Sequence, residues 1–528
     1  MSSILIHNVN ILSFHKGFEK ERVDALLIED NVIKAVAKYD DLKNQIHSNT
    51  TIINAAGKTL MPGFNDTHIH LWKVGNLKTY MLDVRGVQSL DEMSSMLQDY
   101  ERQYPDAAWI TARGFNEALW KDGKIPTAKD IDKVIREKPV YVIRTCAHIA
   151  VANSKAIELC GITKATATPA GGVIGKDDSG RPNGIFSETA LGLIANHIPA
   201  YTKAQLKVMV KAAREELYEY GITAATDPAV DPLLLEAYFE MNDDRELGFR
   251  LNTLPIILPD GGEKPYPVPA KFSSPFFNVN TVKFFSDGGL SGKTAALKKH
   301  YKDSPEQGVL RLKEQQYLQL CKAVMQNGLG IATHAIGDAA IEFVVKIYKQ
   351  LHTDFPSLIK RIEHLGLPEE KHLQDMQDYD IATSMQTIFI NELGKNFIKY
   401  LDEAYLQQCY PVKSVLQHGI LTALSSDAPV VKEFNPFKGI EAAVTRKTND
   451  GSVIAVNEAI TIEDAFKCYT SNAAAISGAD NYGSIKEGML ADFILLDKNP
   501  LDCKPEELTS IKVEKTFVDG SLVWERKN

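Results

Sequence analysis

The feature that most narrows what this chain can become is a rhythm. Eight short apolar runs, at 63–70, 221–227, 250–258, 282–287, 330–334, 361–364, 381–386 and 421–427, alternate with stretches of helical periodicity. Strand-like runs separated by helices are the signature of βα units and a parallel sheet. Eight of them is the number that a (β/α)8 TIM barrel requires, so the expected fold class is α/β with that barrel at its centre. Length agrees, because 528 residues hold one large barrel with additions, or a few domains of about 150 residues, and exclude a small binding module.

The rhythm is interrupted once. About 150 residues separate the first run from the second, far beyond the roughly 2–6 of an ordinary βα loop, so a folded insertion is expected there. It has β-like pieces at 109–113 and 140–144 and a glycine-rich turn at Ala170-Gly171-Gly172. Growing from the end of strand one, on the face where barrel active sites lie, it is expected to roof the pocket. The first sixty residues alternate with period two (Ile4, Ile6, Ala25, Leu27) and turn at Glu29-Asp30-Asn31, and the last forty-five return to that texture before Asp519-Gly520-Ser521. These ends read as antiparallel strands of one small β domain built from both termini. The expected boundaries are 1–60 and 471–528 for that domain, 61–75 and 216–470 for the barrel, and 76–215 for the insertion.

Composition narrows the partners. Hydrophobic residues at 44% and charged residues at 24% are ordinary globular proportions that allow a large core. A net charge of −9 with no long basic stretch argues against nucleic acid. The six cysteines are scattered without paired metal-knuckle spacing and read as reduced, buried thiols. No apolar run approaches the roughly 20 residues that cross a bilayer, and the start lacks the pattern of a secretory leader. The expectation is a cytoplasmic protein with no membrane partner, acting on a small molecule, with self-association left open.

The chemistry lies at the ends of the runs. His68-Ile69-His70 closes the first, and period two in a strand would aim both imidazoles to one face, which is half a metal site. Alone, the pair would read as surface histidines. His334 and His364 close two further runs and Asp427 another, so four imidazoles and a carboxylate converge on one barrel rim. Lys283 lies inside an apolar run, where an unpaired ammonium would cost several kcal/mol. A salt bridge to Asp287 or Glu188 would neutralise it, and so would carbamylation to a metal-bridging anion.

At this point the chain resembles the amidohydrolase superfamily, in its YtcJ-like branch, related to N-substituted formamide deformylases. The resemblance runs nearly the whole length. It rests on Met61-Pro62-Gly63-Phe64-Asn65-Asp66-Thr67-His68-Ile69-His70, Val282-Lys283-Phe284-Phe285-Ser286-Asp287-Gly288, Thr333-His334-Ala335-Ile336-Gly337-Asp338, Ile362-Glu363-His364, Ser426-Asp427-Ala428-Pro429 and Gly483-Ser484-Ile485-Lys486-Glu487-Gly488. It implies a distorted barrel carrying one or two divalent ions, most often zinc, and a β-sandwich made of both termini. His68, His70, His334, His364 and Lys283 would hold metal, and Asp427 would act as catalytic base. Within the insertion, Glu188 matches a branch glutamate that could replace or accompany Lys283, while His148 follows Ala147 where relatives carry glycine. His148, Trp72, Glu188 and Asp287 are the residues expected to face substrate. The implied reaction is hydrolysis of an amide-type C–N bond outside ordinary proteolysis by a metal-activated water. The alternatives are ester, lactone or deaminase chemistry at the same site, or a non-catalytic metal-binding barrel protein.

Overall fold

Both ends of the chain meet in one sheet. In the computed structural model, which describes residues 3–15, 23–145, 149–169, 172–259 and 264–527, the strands Asn10–Ile11, Thr59–Pro62, Phe493–Leu496, Val513–Val518 and Ser521–Glu525 lie side by side in that order. Thr59–Pro62 runs antiparallel to Phe493–Leu496, with Met61 opposite Ile494. A second sheet orders Val32–Ala37, Ala25–Glu29, Ser3–His7 and Thr51–Asn54. Here the expectation of purely antiparallel strands is corrected: Ser3–His7 and Thr51–Asn54 are parallel. A parallel neighbour needs a crossover rather than a hairpin, and the segment between them, with its short helix Tyr39–Leu42, supplies it. Ile6, Leu26 and Ile28 from this sheet share a buried cluster with Leu60, Phe493 and Phe517 from the first.

The strand runs between these ends form two five-stranded sheets. One orders Phe272–Ser273, Phe277–Val279, Arg250–Pro255, Ile222–Val230 and Phe64–Asp66, parallel except for Phe272–Ser273. The other orders Thr281–Phe285, Gly330–Ala335, Lys360–His364, Ile381–Met385 and Thr422–Leu424, parallel throughout. Every residue of Lys360–His364 and Ile381–Met385 is buried, as parallel strands covered on both faces must be. A parallel bridge between Ile256 and Lys283 joins the sheets at one edge. Near the other, the Asp427 N–H donates to His68 O at 2.7 Å. Helices such as Pro232–Asp243, Asp338–Asp354 and Glu370–Asp378 fill the connections. The first starts where it does because Asp231 accepts from the Leu234 N–H at 2.8 Å and Pro232 occupies the opening turn.

Chain contacts divide these residues into two units, 1–71 with 214–528, and Trp72–Ala213. The second unit has its own six-stranded sheet, ordered Gly172–Lys176, Pro182–Glu188, Ile149–Ala152, Val140–Arg144, Ile110–Phe115 and Leu82–Asp83. Period two sorts its side chains. Ile110, Val140 and Val142 enter one core with Leu97, while Trp109 and Tyr141 enter another with Phe186. The turn residues Ala170 and Gly171 lie outside the described residues. Among the described residues no helix is long and apolar enough to cross a membrane.

Candidate metal centre

The segment carrying His68 and His70 is not strand. The ladder stops at Asp66, so the period-two argument for aiming the two rings is corrected: backbone N–H bonds to the neighbouring strand, to the loop after Asp427 and to the Asp66 side chain aim them. Ile69 N–H donates to Thr226 O at 3.0 Å, His70 N–H to Ala428 O at 2.9 Å, and His68 N–H to Asp66 Oδ1 at 3.1 Å. Asp66 also accepts from the Ser426 N–H at 3.2 Å, which ties the first run to the last. Burial pushes its carboxyl up to about 7. The run ending in Asp427 likewise leaves the ladder early, at Leu424. Asp427 and His364 take left-handed backbone, at φ 58° and 75°. Such conformations cost about 1–2 kcal/mol each for a residue with a Cβ and persist where surrounding contacts enforce them.

The proton positions follow from the partners. His68 Nδ1 meets the Glu363 carboxylate and His364 Nδ1 meets Gln386 Oε1 at 2.6 Å. Both partners are acceptors, so each Nδ1 carries the proton and each Nε2 a lone pair. His334 is the reverse: its Nε2 lies 3.1 Å from Gly288 O and 3.4 Å from Asp287 Oδ1, leaving Nδ1 as the lone-pair nitrogen. Burial first, then Lys283 for His68 and His334 for His364, holds these two rings well below the ordinary histidine value. They are neutral, the form that ligates metal.

These lone pairs converge. Asp427 Oδ1 lies 3.5 Å from His68 Nε2 and 3.3 Å from His70 Nε2. Single donor atoms of His68, His364 and Asp427 lie within 4.8 Å of one another. The His334 and His364 rings are 4.4 Å apart, and those of His68 and His364 4.8 Å. Two ligands on a tetrahedral zinc at about 2.0–2.2 Å sit roughly 3.3–3.6 Å apart, so the spacing and the nitrogen–oxygen donor set fit a divalent ion.

Lys283 is fully buried, and its Nζ has no hydrogen-bond or salt-bridge partner among the described residues of its unit. The expected pairing with Asp287 does not form, because Asp287 is spent elsewhere. Its carboxylate accepts from the backbone N–H groups of Ala296, Ile336 and Gly337 at 2.9–3.1 Å. Gly337 is required for this approach, since a Cβ there would sit 2.0 Å from Ala296 O. Asp287 thus braces the His334 loop with both oxygens. Burial pushes the Lys283 ammonium down to about 8, against the pull of Glu363 and Asp427.

Sequence reasoning missed Glu363, Arg361, Gln386 and Asp66. Arg361 donates to Glu363 through Nε and Nη2 and to Thr67 O at 2.6 Å. Burial raises the Glu363 carboxyl, but Arg361 and Lys283 outweigh it and hold it below the usual carboxylate range. The available signal was that of Lys283: charged residues in an apolar run must pair. Of the residues expected in the insertion, Trp72 and Glu188 belong to the second unit, where the Trp72 ring lies 6.2 Å from that of Tyr201 and Glu188 ends a strand, exposed, at φ 53°. His148 lies outside the described residues. Beside the histidines is a cavity of about 200 Å³, walled by Phe285, Leu290, Phe389, Phe397, Tyr410 and Val430.

Imidazoles and a carboxylate gathered at and just beyond the C-terminal ends of parallel strands define a class as well as a site. A family model described as the amidohydrolase family matches residues 51–524, and the chain belongs to that family. YtcJ of Bacillus subtilis (strain 168), a protein classed as an amidohydrolase, is 29% identical over 530 residues, covering 97% of this chain and 99% of its own. N-substituted formamide deformylase of Arthrobacter pascens is 26% identical over 548 residues, covering 100% and 99%. Among solved structures, an uncharacterized metal-dependent hydrolase from Pyrococcus horikoshii OT3 matches with a TM-score of 0.80 at 26% identity, over 96% of this chain and 99% of that one.

Proposed function

We propose that the protein is a metal-dependent hydrolase that cleaves the C–N bond of a small carboxamide. The observation that carries the reading is the spacing of Asp427 Oδ1 from His68 Nε2 and His70 Nε2, 3.5 and 3.3 Å. We read the two central sheets as one distorted (β/α)8 barrel. Its support is the Ile256–Lys283 bridge at one seam and the Asp427–His68 bond at the other, with Phe277–Val279 and Thr281–Phe285 counted as one strand broken at Asn280.

His68, His70 and His364 through Nε2, His334 through Nδ1, and Asp427 would hold one or two divalent ions, with zinc best suited to an imidazole-rich set. When bound, such an ion polarises a carbonyl and lowers the pKa of water. Asp427 accepts a proton from the attacking water and returns it to the departing nitrogen. Glu363 and Gln386 hold His68 and His364 in the ligating tautomer. Lys283, drawn down to about 8, has an appreciable fraction of neutral amine, which adds to carbon dioxide and releases a proton to give a carbamate. That anion accounts for a buried nitrogen without a partner and would bridge two ions. The apolar wall suits a short acyl group or the apolar substituent of an N-substituted amide, the bond class named for the Arthrobacter relative.

The test is removal and return of metal. Prolonged chelation is expected to abolish turnover of a panel of N-acyl and N-formyl amines, and zinc or a similar ion to restore it. Full activity in protein shown by elemental analysis to be metal-free would defeat the proposal.

A further inference from the structure

Tyr410 lines the same cavity as His68, His364 and Asp427, is 1% exposed, and makes no hydrogen bond through its hydroxyl among the described residues. A phenol hydroxyl that lines a cavity and makes no hydrogen bond within the protein is a donor available to what enters the cavity. The ring needs no such partner, since Phe389 meets it edge-on and Phe397 stacks on it, each at 5.9 Å between centroids. Phenylalanine would pack there equally well.

The backbone is held at some cost. Tyr410 has φ 49°, a left-handed conformation that is an outlier for a bulky residue. Its N–H donates to Gly366 O at 2.8 Å. Arg446, fully buried, donates from Nη1 to Tyr410 O at 3.0 Å, from Nη2 to Cys409 O at 2.6 Å and from Nε to Ile454 O at 3.1 Å. A guanidinium with carbonyl partners and no carboxylate is an unusual expense, and burial draws it down to about 10. Strain that is over-determined in this way beside a ligand cavity marks function.

Resting on the hydrolase reading above, we infer that Tyr410 is a catalytic residue whose hydroxyl donates a hydrogen bond to the substrate carbonyl oxygen as that oxygen gains negative charge. Burial, then Cys409 and Asp427, keeps the phenol well above its ordinary value, so it stays a donor across the working pH range. Asp427 handles the proton of the attacking water, so a neutral donor in this cavity serves the carbonyl oxygen, in addition to the polarisation that a bound ion would supply.

Tyr410→Phe should lower kcat and kcat/KM together by about 10²-fold, the scale of a lost oxyanion donor acting in the transition state. Metal content per chain and melting temperature should match the wild type, because the hydroxyl has no partner in the fold. Calorimetric affinity for acetohydroxamate, which presents a comparable carbonyl oxygen, should weaken about tenfold. Turnover within threefold of wild type with unchanged affinity overturns the inference, and so does a variant that loses metal or melts lower, which would make the role structural. If the wild type cleaves no carboxamide, the hydrolase reading fails by itself. Acetohydroxamate then decides on Tyr410 alone: a tenfold loss keeps the hydroxyl as a ligand contact, and unchanged affinity removes it.

Discussion

In the proposed reaction Asp427 serves two purposes with one carboxylate. Its Oδ1 faces two imidazole nitrogens, and the proposed reaction needs the same group to take a proton and give it back. Asparagine keeps the shape and one ligating oxygen but cannot accept that proton. Asp427→Asn is therefore expected to lower kcat at least about 10²-fold while metal content and fold persist, as steady-state kinetics with elemental analysis would show. Near-full turnover would assign the base elsewhere, with His148 or Glu188 next to be tried. Lys283 poses the complementary question, a cation where ligands gather. Lys283→Ala should abolish activity, and acetate or propionate, small enough to occupy the vacated place, should restore part of it. No rescue by any short acid, together with an unmodified lysine in the active protein, would show that the carbamate does not form.

At the scale of strands, hydrogen-bonded side chains carry information that local sequence does not. The histidines and Asp427 were legible because each follows an apolar run, and burial is what apolar runs record. They do not record where the ladder ends. The runs at 63–70 and 421–427 stay buried to their last residues, yet pairing stops at Asp66 and Leu424, and the backbone beyond makes single bonds to neighbouring strands, loops and side chains instead. Glu363 was illegible for another reason: its partner His68 is 295 positions away, and nothing near either residue announces the other. The same holds for Arg250, on a central strand, whose Nη2 donates at 2.9 Å to both Asp492 and Asp519 beside the terminal sheet. Arg250 and Asp492 are each about 3% exposed. Removing Asp492 leaves the buried guanidinium with only the less buried Asp519 as counter-charge, so Asp492→Ala should cost about 2–3 kcal/mol, somewhat less than a fully orphaned buried charge, read as a lower denaturant midpoint. A loss below about 1 kcal/mol would mean that water reaches the arginine and that the pair holds nothing together.

For the molecule as a whole, the rhythm of runs pointed to the parallel sheets and the composition to a large core, and family membership bears out the resemblance read from the ordered motifs. What the rhythm could not supply was the pairing of ends. The Thr59–Pro62 strand leads through Gly63 directly into Phe64–Asp66, the first strand of the central sheets, while its neighbour on one side is Phe493–Leu496. On a ribosome adding about 5–20 residues each second, the earlier strand leaves the tunnel roughly 20–90 s before the later one exists. Through that interval the backbone edge that Phe493–Leu496 later pairs is open, although Ile6, Leu26 and Ile28 of the Leu60 cluster are already made, and an open strand edge is a template for foreign strands. A nascent chain of this protein is thus expected to carry that unpaired edge for most of its own synthesis and to close it only near the end of translation.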